Sequence, residues 1–221
     1  MAVTVTQAAG AVPSNECDYR TSACLEDEFM GGGVTTTTVG SLGWVFTSGT
    51  VAAQASETNH PGIIRRSTGA SSGTTAAMYL GPGSTNTAIP GNANFDMTWA
   101  FRLNTNDALT AFILGAGLGT QADLIILEKA AADTNFFCRT RTNSNQAKTD
   151  TGVAVDTAWH STRIQRQGSV VNFWLDKILV ATNTTFLTSA AISPICLIAN
   201  SEAAEKTIDI DYFKLRVEVS R

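Results

Sequence analysis

Apolar and polar residues alternate with period two over Phe95–Leu103. Phe95, Met97, Trp99, Phe101 and Leu103 fall on one face, with Asp96, Thr98 and Arg102 on the other. Alternation sustained over nine residues predicts a strand of an antiparallel sheet with one face buried. The same period recurs toward the C-terminus in shorter runs set off by tight turns. Residues 159–166 lead through Gln167-Gly168 into Val170–Leu175, Asp176-Lys177 leads into residues 178–180, and the chain closes on residues 207–219. In that closing run Ile208 and Ile210 are even, whereas Phe213, Leu215, Val217 and Val219 are odd. A one-residue slip reverses every face, so the change of parity predicts a β-bulge near Asp211-Tyr212.

Earlier runs read the same way. Residues 40–46 and 50–53 flank Ser48-Gly49 and predict a hairpin. His60-Pro61-Gly62 turns the chain into residues 63–66, and residues 76–80, 111–115, 124–128 and 136–141 supply further strands. Ala130-Ala131-Ala132 and residues 201–204 read as short helical turns at most, since no stretch holds a helical period. The fold expected is all-β, an antiparallel sandwich or barrel. Residues 1–25 hold no period and read as an N-terminal extended arm, with residues 26–221 as the domain. Val3, Val5, Val12 and Tyr19 are the arm's candidate assembly contacts.

Composition narrows the function classes. A chain of 221 residues suffices for one large all-β domain that needs neither metal nor disulfide. The formal net charge is −4, and Arg65-Arg66 is the longest basic run, which argues against a nucleic-acid partner. No apolar run approaches the length of a membrane span, and the first residues lack the marks of a signal peptide. Between Phe29 and Phe95 the charged residues are Glu57, Arg65 and Arg66 alone. A neutral Thr/Ser/Asn surface is cheap to desolvate and suits protein–protein contact. Cys17, Cys24, Cys138 and Cys196 show no zinc-ligand spacing. Cys17 and Cys24 are close enough to bridge, but the rest of the sequence points to cytosolic synthesis with reduced thiols.

Three segments together resemble the concanavalin A-like jelly-roll modules of tailed-bacteriophage structural proteins. They are His60-Pro61-Gly62-Ile63-Ile64-Arg65 followed by Ser67-Thr68-Gly69, residues 159–175 with the Asp176 turn, and Ile210-Asp211-Tyr212-Phe213-Lys214-Leu215. The resemblance covers roughly residues 26–221. It implies two opposed antiparallel sheets in a multimeric virion component.

That fold also hosts glycosidases and polysaccharide lyases. A glycosidase needs two carboxylates, about 5–5.5 Å apart for retention or about 6.5–9.5 Å for inversion. The sandwich glucanases place theirs as Glu-x-Asp-x-x-Glu, which the chain lacks; Glu26-Asp27-Glu28 reads instead as a solvated strand edge. Tyr212-Phe213-Lys214 is similar to a lyase strand, but Arg163-Ile164-Gln165-Arg166 supplies no histidine to accompany it. His60 and His160 read as makers of local backbone hydrogen bonds. Asp209 and Asp211 share a strand face without the ligand count calcium requires. The expectation is therefore a virion structural protein with no catalytic residue, metal or cofactor, most specifically a capsid decoration protein. It would be made in the host cytoplasm and mounted on the capsid exterior, with the major capsid protein and its own copies, as trimer or dimer, for partners. The alternative is a carbohydrate- or receptor-binding module of a head or tail fibre. Trp174, whose parity opposes that of Phe173 and Leu175, would be its glycan contact.

Overall fold

The computed structural model describes residues 21–30, 38–80 and 88–219. Sixteen strands form two eight-stranded sheets, every pairing is antiparallel, and no helix occurs among the described residues. The first sheet contains β1 (Ser22–Asp27), β4 (Thr50–Ala53), β5 (Ile64–Ser67), β7 (Phe95–Leu103), β12 (His160–Gln167), β13 (Val170–Leu175), β14 (Ile178–Asn183) and β16 (Thr207–Glu218). Its order is β14-β13-β12-β7-β16-β5-β4, with β1 also paired to β16. The second sheet contains β2 (Thr38–Val39), β3 (Trp44–Phe46), β6 (Thr75–Leu80), β8 (Thr110–Gly117), β9 (Leu124–Lys129), β10 (Asn135–Thr142), β11 (Asn145–Ala154) and β15 (Ser193–Asn200). Its order is β11-β10-β9-β8-β15-β6-β3-β2. This is the expected two-sheet jelly roll.

The strongest sequence signals survive intact. Burial along β7 alternates strictly, because its odd residues face the other sheet and its even residues face solvent. In β16 the register against β7 shifts between Ile210 and Tyr212. That bulge lets Ile208 and Ile210 before it, and Phe213, Leu215 and Val217 after it, enter one core. Trp44 from the second sheet meets Trp99 and Phe213 from the first, with ring centroids 5.4 and 4.8 Å away. The Trp44 indole N–H donates to Asp27 at 3.1 Å, and Asp27 also accepts the Phe29 backbone N–H at 2.9 Å.

Other expectations need correction. The hairpin across Ser48-Gly49 does not form: β3 pairs with β2 and β6 in the second sheet, whereas β4 pairs with β5 in the first. The turn carries the chain from one sheet to the other, a step that strand period cannot register. The Ala130-Ala131-Ala132 segment is a β-turn between β9 and β10, closed by Asp133 N–H to Ala130 C=O at 3.1 Å, and residues 201–204 are bends. Cys24 is disulfide-bonded, while Cys138 and Cys196 are buried free thiols, so reduced thiols throughout do not describe this chain. The boundary drawn at residue 25 falls within β1, whose Ser22–Asp27 lie opposite Phe213 to Glu218. Residues 1–20, with Val3, Val5, Val12 and Tyr19, lie outside the described residues.

Gly49 makes the crossing possible. Its φ is +68°, and a Cβ there would sit 2.2 Å from the Ser67 carbonyl oxygen on β5 and 2.5 Å from the Ala76 side chain on β6. Gly49→Ala is therefore expected to lower stability by on the order of 1–3 kcal/mol, read as a shift in the urea midpoint at unchanged slope.

Candidate functional site

The outer face of the first sheet gathers six of the thirteen ion pairs among the described residues. At one end Asp209 on β16 is fully buried between two guanidinium groups. Arg65 on β5 donates to it through Nε at 2.7 Å and Nη2 at 2.9 Å, and Arg102 on β7 donates at 2.7 Å. Arg102 also grips Glu57 through both terminal nitrogens, at 2.8 and 3.0 Å. Glu57 in turn accepts the Trp159 indole N–H at 3.1 Å. The Arg102 guanidinium lies 4.7 Å from the centre of that indole, and the His60 ring stacks on it at 4.0 Å and 14°. His60 Nδ1 sits 2.9 Å from Asp211 Oδ2, and the Gly62 N–H reaches Asp211 at 3.3 Å.

The charges follow from these bonds. Hydrogen bonds from Arg102 and then from Trp159 hold the Glu57 carboxyl below its ordinary value. Burial by itself pushes Asp209 up, but the bonds from Arg65 and Arg102 more than reverse that and leave it lowered. The two arginines move the opposite way, each raised first by its carboxylate hydrogen bond. A network in which each ion has its counter-ion is a construction joint between β5, β7, β16 and two loops.

Farther along the same face a row crosses five strands: Trp174, Arg163, Thr98, Lys214 and Glu26 are successive cross-strand neighbours on β13, β12, β7, β16 and β1. Arg163 chelates Asp96, its Nε lying 2.8 and 3.0 Å from the two carboxylate oxygens, and its guanidinium rests 4.8 Å from the Trp174 ring centre. The Tyr212 hydroxyl donates to Glu26 at 2.8 Å, and Arg216 Nε donates to Ser22 at 3.0 Å. Asp96, Thr98, Arg163, Tyr212, Lys214 and Arg216 line a shallow open depression here.

On the outer face of the second sheet, Glu128 is buried and pairs with Arg139 at 2.7 Å. Burial raises its carboxyl, against the pull of Arg139 and Lys148. Lys148 rests 4.1 Å from the Phe137 ring centre. Among the described residues, no group of three or more His, Cys, Asp or Glu side chains is gathered as a metal would require.

The placements of the sequence candidates are now plain. Trp174 points outward on the first sheet, half-buried beneath Arg163. Glu26 lies on β1, a sheet border, bonded to Tyr212. The histidines differ from expectation: both bond side-chain carboxylates, His60 to Asp211 and His160 to Asp156 at 2.9 Å and Asp176 at 2.7 Å. Loop closure brings these carboxylates within reach, and a charged acceptor outcompetes a backbone carbonyl. Arg102, Trp159 and Glu57 were not singled out by the sequence as a cluster. The one available signal was that Glu57 and Arg65 are isolated charges in a neutral stretch.

No family model matches the chain, and no curated protein matches it by sequence. Solved structures do. A protein of unknown function from Shewanella oneidensis MR-1 superposes with a TM-score of 0.68 at 15% identity, covering 98% of this chain and 99% of that one. The Emp47p carbohydrate recognition domain gives 0.60 at 10% identity, over 92% and 100% of the two chains. A Bacillus licheniformis β-glucanase gives 0.60 at 12% identity, over 90% and 98%. The concanavalin A-like jelly-roll fold is thus shared with a lectin-type domain and with an enzyme, at identities that carry architecture and not chemistry.

Proposed function

We propose that the chain is a non-enzymatic virion structural protein of a tailed bacteriophage, a decoration protein on the capsid exterior. It would be made in the host cytoplasm and held by the major capsid protein and by its own copies. The observation that carries this reading is where bare apolar surface lies. Trp159, Trp174 and Phe137 each have a cation resting against the ring. Sugar stacking needs an open aromatic face; these three are covered, and Phe186, at 42%, is the aromatic among the exposed large hydrophobic residues described. Ile178 and Leu179, by contrast, are 67% and 53% exposed aliphatic side chains with no such cover. Exposed aliphatic surface is what protein partners bury. The carboxylates fit the non-enzymatic part: Asp96, Glu128 and Asp209 are each held by guanidinium, which leaves none of these three as a free general acid or nucleophile.

A second reading, a carbohydrate- or receptor-binding module of a head or tail fibre, is favoured by a different observation. The depression beside Trp174 offers hydrogen-bonding side chains on a fold that one similar structure uses as a carbohydrate recognition domain. Quantitative mass spectrometry of the purified particle separates the two. Decoration predicts on the order of hundreds of copies, as expected where symmetric repetition supplies avidity. A few to some dozens of copies, or strong glycan-array signals lost in Trp174→Ala, would overturn it.

A further inference from the structure

β16 turns Tyr212, Lys214 and Arg216 outward at every second position, while Phe213, Leu215 and Val217 between and beyond them enter the core. Arg163 on β12 lies across β7 from this row. With Asp96 and Thr98 of β7 these side chains line one depression of about 330 Å³. Ligand sites run from about 300 to 1,000 Å³, so this one suits a small group or one unit of a longer chain. Three cations stand in it against the single carboxylate of Asp96, in a protein whose net charge is −4.

The carboxylates nearby are already engaged. Asp96 is the cross-strand neighbour of Arg216, yet Arg163 takes it, with Nε 2.8 and 3.0 Å from its two oxygens. Arg216 gives its Nε to the Ser22 hydroxyl at 3.0 Å, and its two terminal nitrogens bond no described residue. Lys214 approaches Glu26 only to 3.9 Å, beyond hydrogen-bond length, and Glu26 accepts the Tyr212 hydroxyl instead. Glu218, farther along β16, accepts the Asn94 side-chain amide at 2.8 Å. Lys214 and Arg216 are therefore like charges about 7 Å apart along one strand face, each raising the energy of the other. An anion set between them would relieve that repulsion and accept charge-assisted hydrogen bonds from both.

We propose that the depression binds the carboxylate of an acidic saccharide. Its neutral groups favour a sugar over other polyanions. The Thr98 hydroxyl stands between Arg163 and Lys214 in the cross-strand row, with the Tyr212 phenol beside it, and both can exchange hydrogen bonds with sugar hydroxyls. An acidic peptide would bring aliphatic side chains as well. None of Met30, Leu109, Ile178, Leu179 and Phe186, the exposed large apolar residues described, lines the depression to receive them. A nucleic-acid strand would bring bases that stack on open rings, and the neighbouring Trp174 is covered by Arg163. The inference goes beyond the decoration reading. It names the ligand class for the depression on which the second reading rests, and depends on that reading for the ligand being a saccharide.

Isothermal titration of the full chain at low ionic strength tests it, with oligogalacturonate and oligosialate as acidic probes. Dextran oligosaccharide is the neutral probe, and poly-glutamate and single-stranded DNA are the anions that are not sugars. At least one acidic saccharide is expected to bind at least about tenfold tighter than all three. Lys214→Gln and Arg216→Gln should each weaken it by about tenfold, the worth of one hydrogen bond to a charged group, at an unchanged unfolding midpoint. Lys177→Gln removes an equal charge from the exposed β13–β14 turn and should leave binding unchanged. If Arg216→Gln does not fold for want of its bond to β1, Lys214→Gln decides. Absence of binding, equal binding of poly-glutamate or DNA, or an equal loss in Lys177→Gln overturns the proposal. Dextran bound as tightly removes the acidic class and leaves the saccharide reading standing, whereas no saccharide bound removes both. The decoration reading is decided separately, by copy number.

Discussion

Replacement of Trp99 by alanine is expected to lower the unfolding free energy by about 3–5 kcal/mol, the range for deleting a large buried aromatic whose site cannot collapse. Trp99 is completely buried, lies 4.6 Å from Phe213 and 5.4 Å from Trp44 between ring centroids, and so belongs to the contact that joins the two sheets. Domains of this kind have about 5–15 kcal/mol in total. The variant should therefore unfold at much lower urea, with the slope unchanged if the native state stays as compact. Trp99→Phe is the informative companion. The indole N–H of Trp99 finds no acceptor among the described residues, so the phenylalanine loses ring volume but also removes a buried unsatisfied donor. It is expected to cost less than half as much as alanine. Equal losses from the two variants would mean that volume is not what Trp99 contributes.

Asp209→Ala should be the next most damaging change. It removes the one carboxylate that two guanidinium groups share, leaving Arg65 without its partner and Arg102 with Glu57 alone. Breaking a fully buried pair costs about 3–5 kcal/mol; since the Arg65 and Arg102 side chains keep 34% and 20% of their exposure, about 2–3 kcal/mol is expected here. The pH dependence has a fixed sign. Asp209 is lowered in the folded state, so its contribution is complete above the unfolded value of about 4 and is lost as pH falls through the folded value. The deficit of Asp209→Ala relative to wild type should be full at pH 7 and narrow below about pH 4, in urea titrations at matched ionic strength. Asp107 acts in the same direction. Burial pushes it up, but bonds from Lys206, Thr110 and the Leu109 N–H hold it at about 2, so wild-type stability should fall between about pH 4 and pH 2. A deficit that grows on acidification would rule out the ion-pair account of Asp209.

Legibility in the sequence tracked how many faces of a strand are wet. β7 could be located to the residue and β16 to within one residue of its end, bulge included, because one face is apolar and the other polar. β8 and β9 were visible as apolar runs but not as two-faced strands. Both of their faces are buried, Leu114 and Leu127 in the main core and Ile113 and Ile126 in a second cluster on the opposite side. β11 was missed: its less exposed positions are Ala147, Thr149, Thr151 and Val153, and the two threonines at their centre interrupt any apolar period. β15 was missed for the opposite reason, since Ile195, Cys196, Leu197 and Ile198 face both clusters in turn and show no alternation.

The sequence by itself therefore determined the all-β class, the bulge in β16, the outward parity of Trp174 and the turn that sets up β14. These are local properties, since side-chain period and turn residues are read within a few positions. Tertiary structure alone decided which runs share a sheet, as at Ser48-Gly49, and which charges meet. His60 and Asp211 are 151 positions apart, Arg65 and Asp209 are 144, and Glu57 and Trp159 are 102. Their meeting depends on the register of β5, β7 and β16 once the sandwich has closed. A pattern of wet and dry faces says that a side chain points outward. It does not say which distant side chain will stand beside it.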